Sequence, residues 1–362
     1  MKKLFTIGFC LLLCGCNTNT DKKQMHRNPI DFESVDAYYD LLEKLENEES
    51  ITDTQWDDFI NLKGNKLYIE ENNIPTDVIN LIRDEMTICY DPKNDSILSS
   101  KLSNDIRFQI RKRYQTNKDA YTEHIQWLKK NTRTLQDSAL RFAKEYLPEK
   151  MHQLDTFPNI FFHGLWDGSA NNKGIFVDII LQYDFDKRRL GSFIAHELHH
   201  FMMKSDIDLL NVEAVDKGIL WAIISIQTEG VADMVDKSSI VYEHSDWWLN
   251  DQYMAFLNYA EPVIVELNQY MIDESNSVAH SESEYRQVLQ NSVGHLPGQY
   301  MAEKIKQNGR LQEVIDEIHN PFTFFFIYNE IAVQKGKIPY FSKAAIDYLK
   351  VLEQKYIAGT YN

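Results

Sequence analysis

The sequence predicts an α+β fold that is mainly α, with a small sheet set beside one helix in mid-chain and helices flanking it on both sides. Three observations predict this. Apolar residues recur at helical spacing in the first third, as in Phe32, Val35, Tyr39, Leu42 and Leu45. Two runs rich in β-branched and aromatic residues, 159–163 and 174–181, are bounded by Gly and Asn and read as strands. Beyond Asp236 helical patterning returns, over 251–275, 297–308, 311–318 and 341–354.

Taken in chain order, the first element is a leader. Met1-Lys2-Lys3 precedes an apolar run from Leu4 to Leu13 and then Cys14-Gly15-Cys16. A basic start, a short apolar stretch and small residues make an export signal that is too short to span a bilayer. Leu13-Cys14-Gly15-Cys16 resembles a bacterial lipobox, which implies cleavage after residue 15 and a lipid on Cys16. Residues 16–30 are then a lipid-anchored tether, polar and patternless from Asn17 to Asn28. No other run reads as long enough to cross a bilayer. Asn17 is not the Asp that retains some lipoproteins at the inner membrane. An exported lipoprotein of the outer membrane, facing the periplasm, is therefore expected, with the cell surface left open.

Residues 31–150 read as a helical N-terminal region, including one helix from about Ala120 to Leu147 stopped by Pro148. The net charge of −16 argues against nucleic acid and against electrostatic attachment to anionic lipid. Of four cysteines, three fall in the signal and lipobox, so Cys89 is left alone in the body and no internal disulfide is expected. With 362 residues, 43 % of them hydrophobic, the chain can hold its fold by packing, in one large or two intimately packed domains.

The most informative string is His196-Glu197-Leu198-His199-His200. Phe193, Ile194, Leu198 and Phe201 around it fall at helical spacing, so His196 and His200 lie one turn apart on one face and can share a metal ion. Glu197 stands beside them, placed to take a proton from water. His199, at i+3, is expected to face away. A catalytic zinc takes three protein groups and leaves a position for water. The third is expected on the next strong helix, from about Ala214 to Val235. There Glu229 sits on a stretch so apolar that an unpaired carboxylate would be costly to bury. Asp233, one turn on, is placed to accept from the distal nitrogen of a ligating histidine.

His-Glu-x-x-His followed some thirty residues later by Glu-x-x-x-Asp resembles the gluzincin metallopeptidases, the thermolysin-like superfamily. Glu229-Gly230-Val231-Ala232-Asp233 is also similar to uncharacterised bacterial families of zinc-dependent peptidases, several of them lipoproteins. The match covers about residues 155–305. The resemblance implies a zincin-like core over 151–310, with helices of 311–362 packed on it, and Zn2+ held by His196, His200 and Glu229. It makes Glu197 the general base and Asp233 the supporting carboxylate. It also implies a strand over the metal helix that binds extended peptide, although the two strand runs read equally well as an ordinary buried sheet. The related families carry Tyr-x-x-Gly where this chain has His295-Leu296-Pro297-Gly298. His295 is accordingly the first candidate to bind the oxyanion, and Tyr300 the second.

The expected function is hydrolysis of peptide bonds in a peptide or protein substrate by a membrane-anchored zinc enzyme. Two alternatives stay open: a catalytically inactive binding lipoprotein of the same fold, and a zinc hydrolase of non-protein amides such as cell-wall cross-links.

Overall fold

A computed structural model describes residues 25–357, apart from 104, 166, 244–246 and 291. The expected signal, most of the tether and Cys16 lie outside the described residues. The fold is mainly α with small sheets, as the patterning predicts.

Eight helices build the N-terminal region: α1 (Glu33–Glu46), α2 (Asp53–Ile60), α3 (Lys63–Glu71), α4 (Thr76–Tyr90), α5 (Asp95–Leu102), α6 (Ile106–Thr116), α7 (Lys118–Lys130) and α8 (Thr132–Lys144). The single helix expected over 120–147 is therefore two. Asn131 leaves helical geometry at φ −124° and ψ 30°, and its side-chain amide donates to the Trp127 carbonyl. That local bond closes α7 and lets α8 start afresh.

The main sheet has four strands in the order β2-β4-β6-β5, with β2 (Ile30–Asp31), β4 (Ile160–His163), β5 (Ser169–Asn171) and β6 (Gly174–Asp178). The first three are parallel and β5 is an antiparallel edge. A two-stranded parallel ladder joins β1 (His26–Arg27) to β3 (Thr156–Phe157). Every residue of β4 and β6 is buried, the unbroken apolar run expected of strands covered on both faces. The strand read over 174–181 ends at Asp178. Its carboxylate accepts from the N–H groups of Ile180 and Leu181 and starts α9 (Ile179–Asp186). An N-cap overrides the β-branched signal of Ile179 and Ile180.

The remaining helices are α10 (Ser192–Met202), α11 (Lys217–Val235), α12 (Asn250–Leu257), α13 (Ala260–Ser275), α14 (Glu282–Val288), α15 (His295–Gln307), α16 (Leu311–Asp316), α17 (Pro321–Lys335) and α18 (Lys343–Tyr356). The helix expected over 251–275 is broken at Asn258–Tyr259, with Pro262 tolerated in the first turn of α13, where its missing N–H costs nothing. Helices α14 and α17 escape the sequence reading. Helix α11 is long and apolar enough to cross a membrane by length and composition, contrary to the expectation that no run after the leader is. It is nevertheless mostly buried, packed against α10, α14, α15 and α17.

One buried cluster runs through every one of these helices and through β3, β4 and β6. Phe32, ahead of α1, stacks on Phe162 of β4 with ring centroids 4.9 Å apart. Arg111 of α6 is fully buried, pairs with Glu85, and donates to the Gly164 and Leu165 carbonyls of the loop after β4. Helix α10 rests on β5 and β6 with α8 behind it and α11 across it. That crossing positions the site.

Candidate metal centre

Helix α10 buries Phe193, Ile194, Ala195, Leu198 and Met202, so the motif is held in mid-helix by packing. One-turn spacing brings the Nε2 atoms of His196 and His200 to 3.0 Å. His199 leaves on another face, fully buried. Its Nε2 meets the Tyr146 carbonyl at 3.3 Å, and burial pulls its pKa down to about 3, so it is neutral and turned away as expected.

Where α11 crosses α10, Glu229 Oε2 stands 3.2 Å from His200 Nε2 and 3.5 Å from His196 Nε2. Ligand atoms at zinc–nitrogen and zinc–oxygen lengths on a tetrahedron lie about 3.3 Å apart. The observed spacings bracket that value. Glu229 Oε2 is buried and no hydrogen-bond donor is directed to it. Burial alone would raise its carboxyl, yet His295, His200 and His196 hold it well below the ordinary glutamate value, so it is ionised. A buried carboxylate oxygen facing two imidazole nitrogens at these distances is a set of donors suited to a cation.

The histidines are oriented by carboxylates, with one reassignment. His196 Nδ1 lies 3.1 Å from Asp236 Oδ1 and 3.6 Å from Asp233, so the bonded partner is Asp236, not the expected Asp233. Asp233 instead holds His295, whose Nδ1 is 3.1 Å from both carboxylate oxygens. Lys237 lies 2.6 Å from Asp233 and 3.6 Å from Asp236 and offsets their charge. A second convergent set, His196, Asp233 and His295, therefore already has its cation in Lys237. Asp236 is seven residues beyond Glu229, two turns along the same face, and that spacing was the available signal.

His295 is the first residue of α15, two residues ahead of the start expected at 297. Helix α15 packs on α11 where Gly230 faces Gly298, and this close crossing delivers His295 Nε2 to 3.3 Å from Glu229 Oε2. Tyr300 does not reach the site. Five residues on from His295, it is turned about 140° round the helix. Its hydroxyl donates to Glu261 at 2.7 Å, in a separate hollow with Met254 and Lys304.

Glu197 lies at the floor of a cleft of about 470 Å3, shared with Phe185, Phe193, Trp247, Tyr253 and His295. Burial raises its carboxyl above the ordinary glutamate value, against the opposing pull of His196 and His200. A basic carboxylate is what proton transfer at neutral pH requires. Gly168 presses on it from the loop before β5. A Cβ there would meet the Phe193 ring at 2.8 Å and Glu197 Oε1 at 3.2 Å.

A mainly helical fold in which two histidines and a carboxylate converge beside a glutamate that lines a cleft is the constitution of a metal-dependent hydrolase. Residues 56–337 match the family DUF5700, whose description is "Putative zinc dependent peptidase", and the chain belongs to that family. No curated protein and no solved structure matches the chain.

Proposed function

We propose that this chain is an exported, lipid-anchored zinc peptidase of gluzincin type, with zinc held by His196, His200 and Glu229 and with Glu197 as general base. The observation that carries the reading is Glu229 Oε2, ionised, buried and faced by imidazole nitrogens at 3.2–3.5 Å. Zinc in such a set supplies a Lewis acid and lowers the pKa of water to about 7. The chain's own groups do the rest. Glu197 takes a proton from the attacking water and passes it to the leaving amine. His295, steadied through Nδ1 by Asp233, offers Nε2 to the oxyanion of the tetrahedral intermediate. Asp236 fixes the ring of His196 so that Nε2 faces the metal position.

A second reading is favoured by one distance. His295 Nε2, 3.3 Å from Glu229 Oε2, could close the site as a fourth ligand, as in structural zinc sites. That would make the chain a binding lipoprotein. Against it, His295 stands outside the set of His196, His200 and Glu229 whose ligand atoms all lie within 4.8 Å of one another. A binding protein also has no need of Glu197 at the cleft floor.

Cys16 is the proposed lipid site, and the outer membrane, facing the periplasm, the proposed location; both rest on the leader sequence. The deciding experiment is peptide hydrolysis by the zinc-loaded protein with and without chelator, beside two variants. Glu197→Gln is expected to keep zinc and lose hydrolysis, and Glu229→Ala to lose zinc. Wild-type turnover by Glu197→Gln would remove the mechanism.

A further inference from the structure

A second hollow of about 470 Å3 opens on the other side of the Gly168 loop from the metal centre. Tyr68, Ile74, Pro75, Val78, Leu81 and Ile82, from α3, α4 and the turn between them, form its apolar walls. Val78 and Leu81 are 40 % and 42 % exposed, although each could have been polar at no cost to the core of α4. Asp167 and Gly168 line both this hollow and the cleft of Glu197, so the two are one continuous surface.

We propose that this hollow is a substrate subsite that seats an uncharged, apolar side chain of the peptide being cut, several residues from the scissile bond. It rests on the peptidase reading above. Continuity is the first argument: a chain laid on Glu197 and leaving across Gly168 enters the hollow. Glycine there keeps the crossing low, since any side chain at 168 has Phe193 and Glu197 directly beneath it.

Charge supplies the second argument. Glu85 on the floor is matched by Arg107 at 2.9 Å and Arg111 at 3.2 Å, and Arg107 is further matched by Asp105 at 2.7 Å. With these partners satisfied none of the four offers a free countercharge, and the remaining carboxylate of the lining, Asp167, repels an acidic side chain and is shared with the cleft of Glu197. An apolar one gains about 25 cal/mol for each Å2 it buries.

Rigidity is the third. Arg111, itself part of the lining, is fixed by Glu85 at 3.2 Å and by the Leu165 and Gly164 carbonyls at 3.1 and 3.4 Å, so this part of the wall is preformed. A substrate engaged on both sides of Gly168 extends well beyond the bond that is cut.

The test uses fluorescein-labelled peptides carrying one leucine, moved stepwise through a Gly/Ser/Ala background, and zinc-loaded full-length protein bearing Glu197→Gln. Anisotropy should find a leucine position that tightens binding. Adding Leu81→Asp should weaken that peptide about tenfold, the loss of roughly 1.4 kcal/mol. Asn80→Asp, exposed on the same helix but outside the hollow, should leave binding unchanged and controls for charge and folding. Equal affinities for Leu81→Asp and Asn80→Asp, or no dependence on leucine position, would overturn the subsite. Leu81-sensitive binding without hydrolysis by the wild-type chain would keep the subsite and defeat the peptidase reading instead.

Discussion

Gly230 of α11 and Gly298 of α15 touch backbone to backbone. A Cβ on Gly230 would stand 2.5 Å from the carbonyl carbon of Gly298, and one on Gly298 would stand 2.3 Å from the Ile226 carbonyl oxygen. Neither neighbour is a side chain that can swing aside. Glu229 and Asp233 flank this contact on one helix and His295 lies one turn before it on the other, so the crossing sets the distance between the two halves of the site. Gly230→Ala and Gly298→Ala are each expected to destabilise the fold by about 3 kcal/mol through overpacking and to reduce zinc retention after dialysis. Unchanged denaturant midpoints and metal content in both variants would contradict this account.

Asp236 and Asp233 should separate in their effects. Asp236→Ala removes the partner of His196 Nδ1 and should weaken zinc binding roughly 10–100-fold. Asp233→Ala frees His295 and should lower kcat more than it lowers zinc affinity. Competition with a colorimetric chelator, read beside steady-state kinetics, distinguishes them. Equal losses of zinc in both would mean that the two carboxylates act on one histidine.

His295→Ala should keep stoichiometric zinc and lose roughly 10²–10³ in kcat, the effect of removing one oxyanion donor. Mass spectrometry of the dialysed protein checks the metal. Loss of zinc from this variant would instead establish the closed, four-ligand site.

Asp178 predicts a pH-dependent stability that is separate from the metal. Burial raises its carboxyl from 3.8 to about 7, and the N–H groups of Leu181 and Ile180 lower it only in part. The folded state thus binds this proton more tightly than the unfolded state does. The contribution is fully present below about pH 4 and is lost as pH rises through about 7, on the order of 4 kcal/mol in all. Asp178→Asn keeps an acceptor for the α9 cap and removes the charge. Urea unfolding at pH 5 and pH 8 should show a smaller difference for the variant than for the wild type. Identical differences would disprove the assignment.

Cys16→Ala should release the chain from the membrane fraction or leave it unprocessed. Continued acylation and sedimentation with membranes would end the lipoprotein reading.

How far the site was legible follows from how local each signal is. His196, Glu197 and His200 were readable because helix periodicity alone puts them together. Glu229 was readable because a carboxylate in so apolar a helix needs a partner. Asp236 was not, since two acidic residues three apart on one helix both approach His196, and only the crossing of α10 and α11 decides which bonds to its Nδ1. Tyr300 failed for a simpler reason, its angle round α15. The hollow beside α4 had no sequence signal, because α3 and α4 meet the Gly168 loop only in the folded chain. In the fold, the strand pattern through Ile180 was genuine β propensity, overruled by one capping aspartate.

The grip of Arg111 on the Gly164 and Leu165 carbonyls has a consequence for what counts as the enzyme. The loop over Glu197 is tied to the N-terminal helices through its first residues, as well as resting on α10 at Gly168. A fragment beginning at residue 151 would possess His196, His200, Glu229 and His295 and still lack that tie. The family match accords with this, starting at residue 56 in α2, far ahead of the motif. The matched span thus takes in the helices that hold the loop together with the residues proposed to bind zinc.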